Sequence, residues 1–235
     1  MIRIQVDLRR KEILLPLLML VITGAIFVML LLMVHFSVIV FPADEFLPIH
    51  SMLEIFTISV CFSIFAVRWL TYRFTKDFPS LLIGVTFMSV GIIDTFHTLT
   101  YLGMPEFLGP NSTQLPTWLW VAQRLTMAGF IALAAFLSVP NPKKYLSSNQ
   151  MIALFLAFSF VVVAGITEFE NSLPVLVVQG VGLTSTKIIL EYAVIILFAV
   201  AAFKFWKATD PLHPAGLLGP VTLQTAQLIP LETTK

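Results

Sequence analysis

Long, nearly uncharged apolar runs dominate this chain, and they decide most of what it can fold into. A span of a bilayer needs about 20 mostly apolar residues. Six stretches meet that requirement, at 13–41, 49–71, 79–101, 118–139, 150–167 and 185–205. Only 11% of the 235 residues are charged and 58% are hydrophobic. A soluble domain carries about 25% charged residues. So few charges cannot cover a surface that faces water, and the sequence predicts an all-α, polytopic transmembrane helix bundle of six spans. The first run is too long for a signal-peptide core and lacks a small-residue cleavage site, so it reads as a retained anchor. The net charge is +1, and no basic patch with interleaved aromatics supports nucleic-acid binding. The lone cysteine, Cys61, excludes an internal disulfide and reads as a packing residue.

The charges orient the spans. Arg3, Arg9, Arg10 and Lys11 precede the first run. Arg68, Arg73 and Lys76 close the second, Lys143 and Lys144 follow the fourth, and Lys204 and Lys207 close the sixth. The alternate junctions hold Asp44, Glu45, Glu106, Glu168 and Glu170, read as solvated loop charges. The positive-inside rule therefore predicts a bacterial inner-membrane protein with its N-terminus in the cytoplasm. Residues 1–12 form a cytoplasmic segment, 13–207 the membrane domain, and 208–235 a proline-containing cytoplasmic tail with no output domain. Trp69, Trp118, Trp120 and Trp206 fall near span ends, where interfacial anchoring is the ordinary role. In the loop before the last span, Gly180 and Gly182 permit a tight turn and a Thr or Ser can cap the helix that follows.

Within the apolar runs, polar residues gather on one side. GIIDTFHTLTYLGMP places Asp94, His97 and Tyr101 at helical spacings of three and four. His50 and Glu54, Trp120 with Gln123 and Arg124, and Lys187 and Glu191 begin three other spans. All lie toward the predicted extracytoplasmic face. A charge at the centre of a span costs about 2.5–3.5 kcal/mol on insertion scales, and less toward the interface. Convergence on one another lowers that cost through pairing. The expectation is a polar pocket built by His50, Glu54, Asp94, His97, Tyr101, Trp120, Arg124, Lys187 and Glu191. The ordinary alternatives are a headgroup position for His50 and Lys187, an interfacial tyrosine at Tyr101, a structural hydrogen bond for His97, a structural ion-pair role for Arg124, and outward-reaching Glu54 and Glu191.

His50 and His97 with Glu54 and Asp94 are donors suited to a transition metal, and the two histidines alone to a haem. Either would make a redox membrane protein. An ion or solute carrier is a further alternative, against which stands the apolar inner half of the spans. No nucleophile triad, phosphate loop or HExxH motif suggests an enzyme.

DTFHTLTYLGMP, WLWVAQRL and GVGLTSTKIILEY together resemble the MASE3 family of bacterial membrane-associated sensor domains over about 46–206. The resemblance rests on Asp94, His97, Tyr101, Gly103, Met104, Trp120, Arg124, Gly182, Leu183, Thr184, Lys187, Glu191 and Tyr192. It implies a sensory input domain, usually placed before a diguanylate cyclase, phosphodiesterase or histidine kinase. In the family further spans and an output domain follow; here the sequence turns proline-rich at Asp210. The expectation is a truncated copy or a stand-alone sensor that signals through a cytoplasmic kinase or cyclase, with a homodimer left open.

Overall fold

The computed structural model describes residues 43–106, 112–137, 147–178 and 181–209, with scattered helical positions between 18 and 32. The predicted first span lies outside the described residues apart from those positions, as do the N-terminal segment and residues 210–235. The chain divides into two units, Met1–Ile49 and His50–Lys235. The site lies wholly in the second.

From residue 43 on, the described residues form five helices in order: α1 Ala43–Thr75, α2 Phe78–Leu99, α3 Gln114–Phe136, α4 Ser148–Phe169 and α5 Ser185–Thr209. Each is long and apolar enough to cross a membrane. They correspond to five of the six predicted spans. Their ends differ from hydropathy by a few residues because polar caps extend helices past the apolar run. At α4, for example, the Ser147 backbone N–H donates to Gln150 Oε1 at 2.8 Å while Gln150 N–H donates to Ser147 Oγ at 3.3 Å. That reciprocal pair satisfies two N–H groups that the helix cannot. Asp44 and Glu45 fall inside α1 rather than in a connecting loop.

Helix α2 is the most enclosed of the five, while α1 and α5 present most of their surface outward. Their outward faces are apolar, with Phe56, Val67 and Ile189 exposed. That suits acyl chains rather than water. Helix α2 packs on α3 and α4, and α3 packs on α5. One core cluster joins Tyr72, Leu81, Val85, Met88, Ala134, Met151 and Phe155. A second joins Ile93, Leu115, Leu119 and Val163.

Helices α1 and α2 form a hairpin joined by Lys76 and Asp77. Lys76 takes a φ of 55°, and its N–H donates to Tyr72 O at 3.0 Å, ending α1. Pro79 sits in the first turn of α2, where a missing N–H is harmless. The two helices approach at glycines. A Cβ on Gly84 would lie 2.7 Å from Arg68 Cβ, and one on Gly91 would lie 3.2 Å from Cys61 Cβ. These contacts fix the antiparallel register. Seven residues from Cys61 toward the start of α1 is Glu54, and six from Gly91 toward the end of α2 is His97. Seven residues is close to two helical turns, so Glu54 stays on the side of α1 that faces α2; the six-residue step turns His97 off the Gly91 line, toward α3.

The segment between α4 and α5 is built rather than loose. Val177–Val178 and Gly182–Leu183 pair as a short antiparallel hairpin, with Val177 opposite Leu183. Gly182 has a φ of +110°, which favours glycine, so the expected turn role holds there. Gly180 lies outside the described residues. Thr184 Oγ1 accepts from Lys187 N–H at 3.4 Å and starts α5 as expected. Gln114 ties the hairpin down: its side-chain N–H donates to Val177 O at 2.6 Å, and its Oε1 accepts from Leu176 N–H at 2.9 Å. Glu170 is not a purely solvated loop charge, because it accepts a hydrogen bond from the Ser112 hydroxyl.

Candidate functional site

The hairpin register carries the first half of the site. Glu54 Oε1 lies 3.7 Å from His50 Nδ1, one turn away on α1, and 3.9 Å from His97 Nε2 on α2. The two imidazoles stand edge to face with centroids 5.8 Å apart. Tyr101 is not on the helical stripe that its spacing suggested, since α2 ends at Leu99. The turn after Thr100 still returns its ring to 4.4 Å from that of His50. Partial burial raises the Tyr101 phenol above its ordinary pKa.

Asp94 and His97 are fully packed, at 0% and 4% exposure. Both are held from α3. Gln123 Nε2 donates to Asp94 Oδ1 at 2.8 Å. His97 Nδ1 lies 2.8 Å from the carbonyl oxygen of Pro116. A carbonyl only accepts, so Nδ1 carries the hydrogen. In the neutral ring the lone pair then sits on Nε2, which is buried and has no hydrogen-bond partner. That lone pair points toward the Glu54 side of the cluster. Arg124 Nε is likewise buried without a hydrogen-bond partner.

The second half lies between α3 and α5. The Arg124 guanidinium stacks over the Trp120 ring at 4.7 Å, and Lys187 Nζ lies 4.9 Å from the same ring. Trp120 thus serves two cations rather than acting only as an interfacial anchor. Lys187 pairs with Glu191 one turn on, at 3.6 Å. Trp120, Arg124, Leu190, Glu191 and Val194 line a cavity of about 180 Å³. Arg124 joins the halves, since its charge acts on both Asp94 and His97.

The nine predicted residues therefore fall into two adjoining groups at one end of the bundle. His50, Glu54, Asp94, His97 and Tyr101 form one, and Trp120, Arg124, Lys187 and Glu191 the other. The four residues suggested as metal donors divide: His50, Glu54 and His97 place their donor atoms together, whereas Asp94 is engaged by Gln123. Two partners were missing from the predicted set. Gln123 is visible in sequence as a polar residue inside an apolar helix. The Pro116 carbonyl has no sequence signature, because every residue has one. Trp118, expected as an anchor, donates its indole N–H to Pro174 O at 3.1 Å and braces the loop before the hairpin.

A family model, MASE3, described as a membrane-associated sensor domain, matches residues 41–218. No curated protein and no solved structure matches the chain.

Proposed function

We infer the function from one premise: the chain belongs to the MASE3 family of membrane-associated sensor domains. It is a membrane-embedded sensory domain. Its signal is received in the polar cluster around His97, at the extracytoplasmic side of a bacterial inner membrane. The signal is relayed as a rearrangement of helices to a cytoplasmic partner, a histidine kinase or a diguanylate cyclase. The observation that supports this reading best is the convergence of ionisable side chains from α1, α2, α3 and α5 at one end of an otherwise apolar bundle.

The relay needs only a modest energy. A tenfold change in the ratio of two helix arrangements takes about 1.4 kcal/mol of differential binding. One charge-assisted hydrogen bond supplies about 1.5–3 kcal/mol. A ligand or proton that bonds Glu54 or Asp94 in one arrangement only is therefore sufficient.

The test places spin labels at the exposed positions Phe74 and Lys207, near the ends of α1 and α5 remote from the cluster. The interlabel distance distribution is measured in nanodiscs for the native cluster and for Glu54→Gln and Asp94→Asn. Changing either carboxyl to an amide is expected to redistribute the populations. Identical distributions in all three proteins would refute the relay.

A further inference from the structure

We propose that His50, Glu54 and His97 bind one divalent first-row transition-metal ion, with Zn²⁺ the best match to the donor set. This deepens the sensory reading of the same cluster and rests on it for its meaning: the metal is the ligand whose presence biases the helices.

The three donor atoms lie within 4.8 Å of one another. A tetrahedral site with bonds of 2.0–2.1 Å sets its donors about 3.3 Å apart. The observed separations of 3.7 Å and 3.9 Å about Glu54 close to that value by small side-chain movements. Two imidazoles and one carboxylate are an N₂O set. That set suits Zn²⁺ and its neighbours, whereas Mg²⁺ and Ca²⁺ favour oxygen donors alone. Three protein ligands leave a fourth position open, as in zinc sites that also hold water or a small molecule.

The independent observation is the state of His97. Its Nδ1–H is committed to the Pro116 carbonyl, its ring is 4% exposed, and its Nε2 lone pair faces the cluster with no hydrogen-bond partner. This is how proteins hold a metal-ligating histidine, with the second nitrogen fixed by an outer acceptor so that the first is oriented and basic. Buried polar groups are in the large majority hydrogen-bonded, so an acceptor without a partner beside a second imidazole and a carboxylate points to a ligand. The Asp94 carboxyl lies outside the three donors, where Gln123 Nε2 holds its Oδ1 at 2.8 Å. The Arg124 guanidinium acts on His97, one of the three donors, and a nearby positive charge opposes a bound cation. That is what a reversible sensor requires, in contrast to a permanent structural site.

The test uses the full chain without a polyhistidine tag, purified in detergent, stripped with chelator and titrated with Zn²⁺ and, separately, Co²⁺. Expected results are one Zn²⁺ per chain by elemental analysis and a visible d–d spectrum with Co²⁺ that Zn²⁺ abolishes. Glu54→Gln and His97→Gln are expected to weaken binding more than about 100-fold, beyond the loss caused by removing an outer-shell partner. The native-chain measurements stand even if a variant fails to fold. Three results overturn the proposal: no ion retained by the native chain, equal binding in native and folded variant proteins, or a Soret band showing that the histidines take haem. The spin-label experiment needs no added metal. A chain that rearranges but binds no metal therefore sinks only the metal assignment, and one that binds but never rearranges sinks the sensory reading.

Discussion

Substituting alanine for two glycines should have opposite effects. At Gly84 an added Cβ meets Arg68 Cβ at 2.7 Å, with Arg68 Cγ at 3.6 Å and Phe65 O at 3.7 Å. Carbon atoms rest about 3.5–4.0 Å apart, so α1 and α2 must separate locally by about 1 Å. The obstructing atom is a Cβ, fixed to its backbone, and cannot swing aside. Overpacking of this kind costs about 1–3 kcal/mol. At Gly129 nothing lies within 4 Å of the added Cβ. Both substitutions gain the same helix propensity, up to about 1 kcal/mol. The propensity gain cancels in the comparison, leaving Gly84→Ala less stable than Gly129→Ala by about 1–3 kcal/mol. Reversible unfolding in mixed micelles, followed by far-UV circular dichroism, measures both. Equal stabilities would mean that α1 and α2 do not meet at Gly84, and the register that brings Glu54 to His97 would lose its support.

Replacing Gln123 by Leu removes the donor to the buried Asp94. A double-mutant cycle with Asp94→Leu should give a coupling between about 0.6 kcal/mol, the average for side-chain hydrogen bonds between membrane helices, and about 1.7 kcal/mol, the largest, and strictly additive losses would contradict the 2.8 Å bond. Ser147→Ala should lower stability by about 1 kcal/mol in the same unfolding assay, since it removes the hydroxyl that caps α4; an unchanged midpoint would mean that the cap contributes nothing. Tyr101 is an acid whose folded pKa is raised, so the unfolded chain loses its phenolic proton first as pH rises. Its contribution is therefore intact below about pH 10, the unfolded value, and is lost between that pH and the folded pKa. Tyr101→Phe should abolish this alkaline loss, and a variant that loses stability identically at high pH would show that Tyr101 is not its source.

Five spans were legible because hydropathy over twenty residues depends on no partner. Their outward faces confirm the solvent that the composition required. The gathering of Glu54, Asp94, His97, Arg124 and Lys187 at one end was legible too, because helix rise converts position along each span into depth. Lateral neighbours were harder to read. Which acid meets which histidine depends on the α1–α2 register, and that is set by the seven-residue spacing of Gly84 and Gly91, a signal shared by many sequences with no such contact. The tautomer of His97 rests on a backbone oxygen and was beyond any reading of side chains. The short hairpin at Val177–Leu183 was missed for a related reason. Strands of two residues carry no periodicity, and this one is stabilised by Gln114, more than sixty residues earlier.

The cluster around Tyr72, Leu81, Val85, Met88 and Phe155 has an electrical consequence. It lies beyond the ionisable end, and among the described residues its members carry no charged group, the Arg68 guanidinium reaching Ser80 Oγ only at its edge, so its apolar part acts as a dielectric layer. Voltage across a bilayer drops mainly over such layers, at about 2.3 kcal/mol per unit charge per 100 mV for a complete crossing. A cation entering the cluster from its own side stops before the layer and traverses little of that drop. Occupancy would then follow the concentration in one compartment and stay nearly blind to the membrane potential.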